Sequence, residues 1–207
     1  MTESRIGAIF AEASAVHLAT ATHSGRAILH AVQLMREALG RGRKIFVFGN
    51  GGSAADSQHF AAELVGRFQL ERRPLPAIAL TTDTSVLTSI ANDFAYEEVF
   101  ARQIEALGAK GDVAFGITTS GRSPNVLAGW RVARKLQLTT IGLVGSETAA
   151  LVKLVDAVVP IPGSITARVQ EAHRTALHAI CELIEEDVRG THTMPSHSPE
   201  EWEHESE

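Results

Sequence analysis

Short runs dominated by apolar residues alternate along this chain with longer stretches of helical periodicity. The runs are 44–49 (KIFVFG), 76–80 (PAIAL), 112–118 (DVAFGIT), 139–144 (TTIGLV) and 157–162 (AVVPIP). A strand that is apolar throughout has no face to turn to water, so it needs cover on both sides. Such strands separated by helices predict an α/β three-layer sandwich, with a central parallel sheet of about five strands in a flavodoxin-like arrangement. Helical patterns fall at 53–68, 84–92, 97–108, 124–137, 147–154 and 165–188. Residues 3–41 contain no strand-like run. Their apolar positions recur at helical spacing, and Ser24-Gly25 reads as a break between two N-terminal helices. These helices cover the sheet or pack against another subunit. The pattern predicts one domain over 1–189, and the polar, acidic, Pro-containing stretch 190–207 reads as a disordered tail.

Composition removes several classes of function. With 24 acidic and 19 basic residues the net charge is −5, which disfavours a nucleic-acid binder that relies on Lys and Arg to neutralise phosphates. A single cysteine, Cys181, excludes an internal disulfide framework and a Cys-rich zinc site, and it suits a reducing compartment. Polar and acidic residues interrupt every apolar run near the N-terminus, so no signal peptide is read there, and no stretch suits a membrane span. The expectation is a soluble cytoplasmic protein.

Ligands of parallel α/β sheets bind at the carboxyl ends of the strands. The first run ends in Gly49-Asn50-Gly51-Gly52-Ser53, where glycines allow close approach of an anion and a helix N-terminus supplies free N–H groups. Ser53 also stands where a helix cap stands. The pattern Gly49-x-Gly51-x-x-Ala54 formally matches a dinucleotide fingerprint. Its ribose-binding acid belongs about 20 positions on, whereas Asp83, the acid that closes the second run, lies further along. The third run ends in Thr118-Thr119-Ser120-Gly121-Arg122-Ser123 before Pro124. Thr118, Thr119, Ser120 and Ser123 bring hydroxyls to a helix N-terminus, a combination suited to a phosphate monoester and hence to a sugar phosphate.

His59 and Glu63 lie four apart on one helical face, where an imidazole and a carboxylate can share a divalent metal or remain a surface pair. The last helix carries Gln170, Glu171, His173 and His178. Gln170 and His178 are two turns apart, so one straight helix does not easily bring both to a single ion. Asn92-Asp93 reads first as a turn and second as a contact for a sugar hydroxyl.

The segments GNGGSAADSQHFAAELVGRF (49–68), SIANDF (89–94), TTSGRSPNV (118–126) and RVQEAHRTALHAICELIE (168–185) together resemble the sugar isomerase (SIS) domain family, specifically its phosphoheptose isomerases. The resemblance spans nearly the whole chain except the tail. It implies an enzyme that converts D-sedoheptulose 7-phosphate to D-glycero-D-manno-heptose 7-phosphate. It also implies a homotetramer with active sites at subunit contacts and one Zn2+ per subunit. Carried over by motif, His59, Glu63, Gln170 and His178 hold the metal, and in a tetramer these ligands can come from different chains. Gly51, Gly52, Ser53, Glu63, Asn92, Asp93, Thr118, Thr119, Ser120, Ser123 and Gln170 contact the substrate. Thr118 stands where Ser is more usual, and Ala167 where some members carry Asp.

The implied chemistry moves one proton between C1 and C2 through an enediol. Glu63 is the expected base, since a partly desolvated carboxylate suits that task, and His178 the expected acid. Two other readings share the fold: a non-catalytic relative that binds the replication initiator, and a sugar-phosphate-binding regulatory module. ITARVQE (165–171) resembles a segment of the former branch, but His178, which that branch replaces, is retained here. The basic segment of a DNA-binding regulator is not seen.

Overall fold

A computed structural model describes residues 2–149 and 151–188. Five strands, β1 (Ile45–Gly49), β2 (Ala77–Ala79), β3 (Val113–Thr118), β4 (Thr139–Val144) and β5 (Ala157–Pro160), form one sheet in the order β2-β1-β3-β4-β5. All pairings are parallel; Ile45 aligns with Val113, and Thr118 with Val144. The helices are α1 (Glu3–Gly40), α2 (Gly52–Val65), α3 (Thr84–Asp93), α4 (Ala101–Leu107), α5 (Pro124–Lys135) and α6 (Thr166–Val188), with a 3₁₀ turn at Tyr96–Glu98. The tail 190–207, read above as disordered, lies outside the described residues.

The pleat divides the strand side chains between two cores. Ile45, Val47, Phe115, Ile117 and Ile141 pack with Met35 of α1, Phe60 and Leu64 of α2, and Leu177 and Ile180 of α6. On the other face Phe46, Phe48 and Ala114 pack with Phe100, Ile104, Val126 and Trp130 around α4 and α5. Trp130 lies flat enough on β3 and β4 that a side chain at Gly116 would strike its ring, and its indole N–H donates to the Ile141 carbonyl at 3.1 Å. The central strands β1 and β3 are buried along their whole length, whereas edge strand β2 leaves Ile78 exposed.

Two expectations are corrected. Residues 3–40 make one continuous 38-residue helix, not two. Ser24 does not cap or break it: its side chain is buried and donates to the Pro160 carbonyl at the end of β5. Gly25 faces open space, where a missing side chain costs little order. In place of the expected short helix, residues 151–154 form turns, with Leu151 and Val152 both bonding back to the Thr148 carbonyl. The Glu147 carbonyl lies against Gly121, so the chain here wraps over the hydroxyl-rich turn instead of winding into a helix. No helix among the described residues is long and apolar enough to cross a membrane.

His173 of α6 is fully buried, and neither ring nitrogen closes a hydrogen bond of good geometry. Burial pushes its pKa down to about 4, with partial offset from the Val144 backbone and the Asp56 charge. A histidine depressed by folding is held neutral at no cost above its unfolded value of about 6.5 and costs stability below it. Thermal midpoints should therefore fall as pH drops from about 6.5 towards about 4. His173→Leu should flatten that decline in a calorimetric pH series, and an equally steep decline in the variant would contradict the assignment.

Candidate functional site at the carboxyl edge of the sheet

β1 and β3 are neighbours, but the chain leaves β1 towards β2 on one side and reaches β3 on the other. The strand order reverses between them, and the crevice above that point is where such sheets bind ligands. The two turns singled out in the sequence lie there. Gly51 has φ +56°, a left-handed conformation that glycine adopts freely, and it lets α2 start at Gly52 directly above the strand end. Across the crevice, the Thr118 hydroxyl lies 3.1 Å from that of Ser123 and 3.4 Å from that of Ser120. Ser120 also accepts the Arg122 N–H at 3.2 Å. These hydroxyls and Thr119 open α5. Thr119, Ser120, Arg122, Ser146 and Thr166 line a cavity of about 330 Å3 beside that turn.

A contact not foreseen from the sequence fastens the turns to each other. Asn50 and Asn125 exchange two amide hydrogen bonds of 2.8 Å each, and the Asn125 oxygen also accepts the Val126 N–H. Tyr96 donates its hydroxyl to Asn50 at 3.2 Å. Asn92 and Asp93 end α3 in exposed positions and bond to each other at 2.8 Å, so this segment reaches the first turn through Tyr96. The dinucleotide reading loses its acid, because Asp83 caps α3 by accepting the Val86 N–H.

The remaining candidates lie along the seam of α2 and α6, which run side by side in the same direction. The Gln170 amide covers Gly52 so closely that a Cβ there would collide with it. Further along, His59 Nε2 lies 2.8 Å from His178 Nε2 and 3.4 Å from Glu63 Oε1. The structure therefore brings His59, Glu63 and His178 together within one chain. It does not bring Gln170 to them: Gly52 and His59 are seven residues apart on α2, about 10 Å of helix rise.

Among the described residues no set of three His, Cys, Asp or Glu side chains stands ready to hold a metal as placed. The donor chemistry nonetheless fits a zinc ion. Two imidazole nitrogens face one another at 2.8 Å, while the nitrogens of a tetrahedral zinc site stand about 3.3 Å apart. Half an ångström of opening, with the Glu63 carboxylate alongside, meets that requirement.

The far end of the seam is held by a buried clamp that the sequence did not announce. Glu185 accepts the N–H groups of Phe68, Gln69 and Leu70, each at 2.8 Å, and pairs with Arg72 Nε at 3.0 Å. Arg72 in turn donates to the carbonyls of Glu63, Leu64 and Gly66, which end α2. The loop so fastened carries Phe68, whose ring lies 5.4 Å from that of His178. Burial alone would raise the Glu185 carboxyl, but the Gln69, Leu70 and Phe68 N–H groups and Arg72 outweigh it and hold the carboxyl below its ordinary range.

Comparison with known proteins agrees with this geometry. A family model described as SIS domain matches residues 10–145. The phosphoheptose isomerase of Geotalea daltonii is 54% identical over 77% of this chain and 83% of its own length. That of Aquifex aeolicus is 49% identical over 89% of this chain and 96% of its own. The solved phosphoheptose isomerase of Neisseria gonorrhoeae superposes with a TM-score of 0.84 at 39% identity, covering 89% of this chain and 98% of that one.

Because the Glu185 carboxyl is depressed by folding, it contributes stability above its unfolded value of 4.5, and that contribution is lost as pH falls below it. Glu185→Gln should cost about 3 kcal/mol in a denaturant titration at neutral pH, since it leaves Arg72 buried and unpaired. The gap from wild type should shrink in acid, and a gap independent of pH would show that the charge is not what holds the loop.

Proposed function

The chain belongs to the SIS domain family, among its phosphoheptose isomerases, and is a sugar-phosphate isomerase; we propose that it converts D-sedoheptulose 7-phosphate to D-glycero-D-manno-heptose 7-phosphate through an enediol. The observation that carries this reading is the convergence of Glu63 and His178 on His59, one seam away from a hydroxyl-lined anion turn. The phosphate belongs on Thr118, Thr119, Ser120 and Ser123, at the α5 N-terminus. Gly51, Gly52, Ser53 and Gln170 border the sugar, and Asn92 and Asp93 are added by the family resemblance.

Glu63, whose side chain is 21% exposed, removes a proton from C1 of the ketose. His178 delivers a proton to the C2 oxygen, which completes the enediol. The same groups then act in reverse: His178 takes the proton from the C1 hydroxyl as that oxygen becomes a carbonyl, and Glu63 returns a proton to C2. Phe68 packs against the His178 ring and keeps water from that side.

The metal in this reading is zinc, one per subunit, with His59, Glu63 and His178 as ligands and Gln170 as the fourth. When bound, it would polarise the sugar carbonyl. Glu63 cannot be a tight ligand and a free base at once, so one of the two roles would have to loosen. Gln170 reaches the same ion by leaving Gly52 or by coming from a neighbouring chain. The latter suits a cytoplasmic homotetramer with sites at subunit contacts. Exposed Phe10, Leu18 and Leu29 on α1 support such an assembly.

Glu63→Gln should lower turnover of sedoheptulose 7-phosphate by at least about a hundredfold while calorimetric binding of the sugar persists. Unchanged turnover would remove the base assignment. No consumption of this substrate by wild-type protein, with or without added zinc, would remove the isomerase reading itself. Dialysis against a chelator should abolish turnover, and zinc should restore it; full activity after verified metal removal would contradict the metal assignment. Sedimentation at micromolar concentration should show a tetramer, and a monomer would contradict the assembly.

A further inference from the structure

Gln170, Arg174 and His178 occupy successive turns of α6, and they meet α2 in the same order. Gln170 covers Gly52, Arg174 reaches Asp56, and His178 meets His59. Arg174 therefore stands midway between the amide beside the first turn and the imidazole pair. It was not among the site residues expected from the sequence.

Its anchoring differs from that of an ordinary surface ion pair. Asp56 is 1% exposed, and its Oδ1 accepts both Nε and Nη2 of Arg174, at 3.1 and 2.8 Å. A buried carboxylate that takes two donors fixes the plane of the guanidinium. The Arg174 side chain itself remains 52% exposed. It lines a cavity of about 520 Å3 together with Ala167, Gln170, Thr175 and His178. Ala167 contributes only a methyl group there and leaves the space open. Glu171, at the same cavity, is taken by Arg168 at 2.8 Å.

The length of the seam is comparable to that of the proposed substrate. Thr166 lines the cavity beside the hydroxyl turn, and the next residue, Ala167, lines the seam cavity. From C2 to phosphorus, an extended seven-carbon sugar phosphate spans about 9 Å with single bonds near 1.5 Å. The stretch from Gly52 to His59 covers about 10 Å. A chain with its phosphate at the turn and its C1–C2 end at the imidazoles would pass its middle hydroxyls across Arg174.

We propose that Arg174, held in place by buried Asp56, is a substrate-binding residue that donates hydrogen bonds to the middle hydroxyls of the sugar chain. This rests on the isomerase reading. Arg174→Gln should raise KM for sedoheptulose 7-phosphate by about tenfold and leave kcat within about threefold. Because that variant strands a buried carboxylate, the double variant Asp56→Asn/Arg174→Gln provides a second test with the charge removed, and the same rise in KM is expected. Arg174→Lys, which retains a cation on Asp56 but loses the planar fork, should fall between wild type and Arg174→Gln. If wild type turns the substrate over and the folded double variant keeps the wild-type KM, Arg174 serves only to join the helices and the proposal fails. If wild type does not turn it over, the isomerase reading fails first, and this proposal with it.

Discussion

The register of α6 against α2 decides which side chains of this protein can meet. The helices lie side by side in the same direction, and four contacts at successive levels lock them: Gln170 over Gly52, Arg174 on Asp56, His178 on His59, and Glu185 on the loop that follows α2. A slip of one residue would rotate α6 by about 100° and carry His178 away from His59. Two of these contacts involve carboxylates that are 1% exposed, so breaking either leaves a charge in a place without water. The polar contacts that hold the register thus also decide which groups the site contains.

The sheet supplies the second constraint. Its order places the ends of β1 and β3 side by side, with the starts of α2 and α5 above them. Both helix N-termini direct their positive dipole ends towards the same crevice. The reciprocal Asn50–Asn125 amide pair keeps the two turns at one spacing. A phosphate bound there has its charge met by neutral donors already in position. In the proposed function the sugar portion runs along the α2–α6 seam towards Glu63 and the imidazoles. That reading assigns anion capture to the turn that opens α5 and proton transfer to the α2–α6 seam.

The strands were readable from the sequence because burial leaves them dominated by apolar residues, and their ends moved by only a residue or two. The His59–Glu63 pair was readable because four-residue spacing is a local property. Features that depend on distant partners were not. The hydroxyl of Ser24 looks like a helix break until Pro160, far along the chain, is seen to accept its proton. Asn125 looks like a helix-start residue until Asn50 is placed opposite. Nothing local marks Arg72, Asp56 and Glu185, whose partners lie on other elements. The resemblance puts Gln170 with the imidazoles, while within one chain its amide rests on Gly52.

The central claim is that one ligand spans from the hydroxyl turn to the imidazole–carboxylate cluster. A crystal structure of the protein with bound sedoheptulose 7-phosphate tests this most directly. The account predicts the phosphate within hydrogen-bonding distance of Thr119, Ser120 and Ser123, with C1 and C2 beside Glu63 and His178. A phosphate bound elsewhere, or a sugar whose C1–C2 end points away from that cluster in every subunit of the assembly, would contradict it.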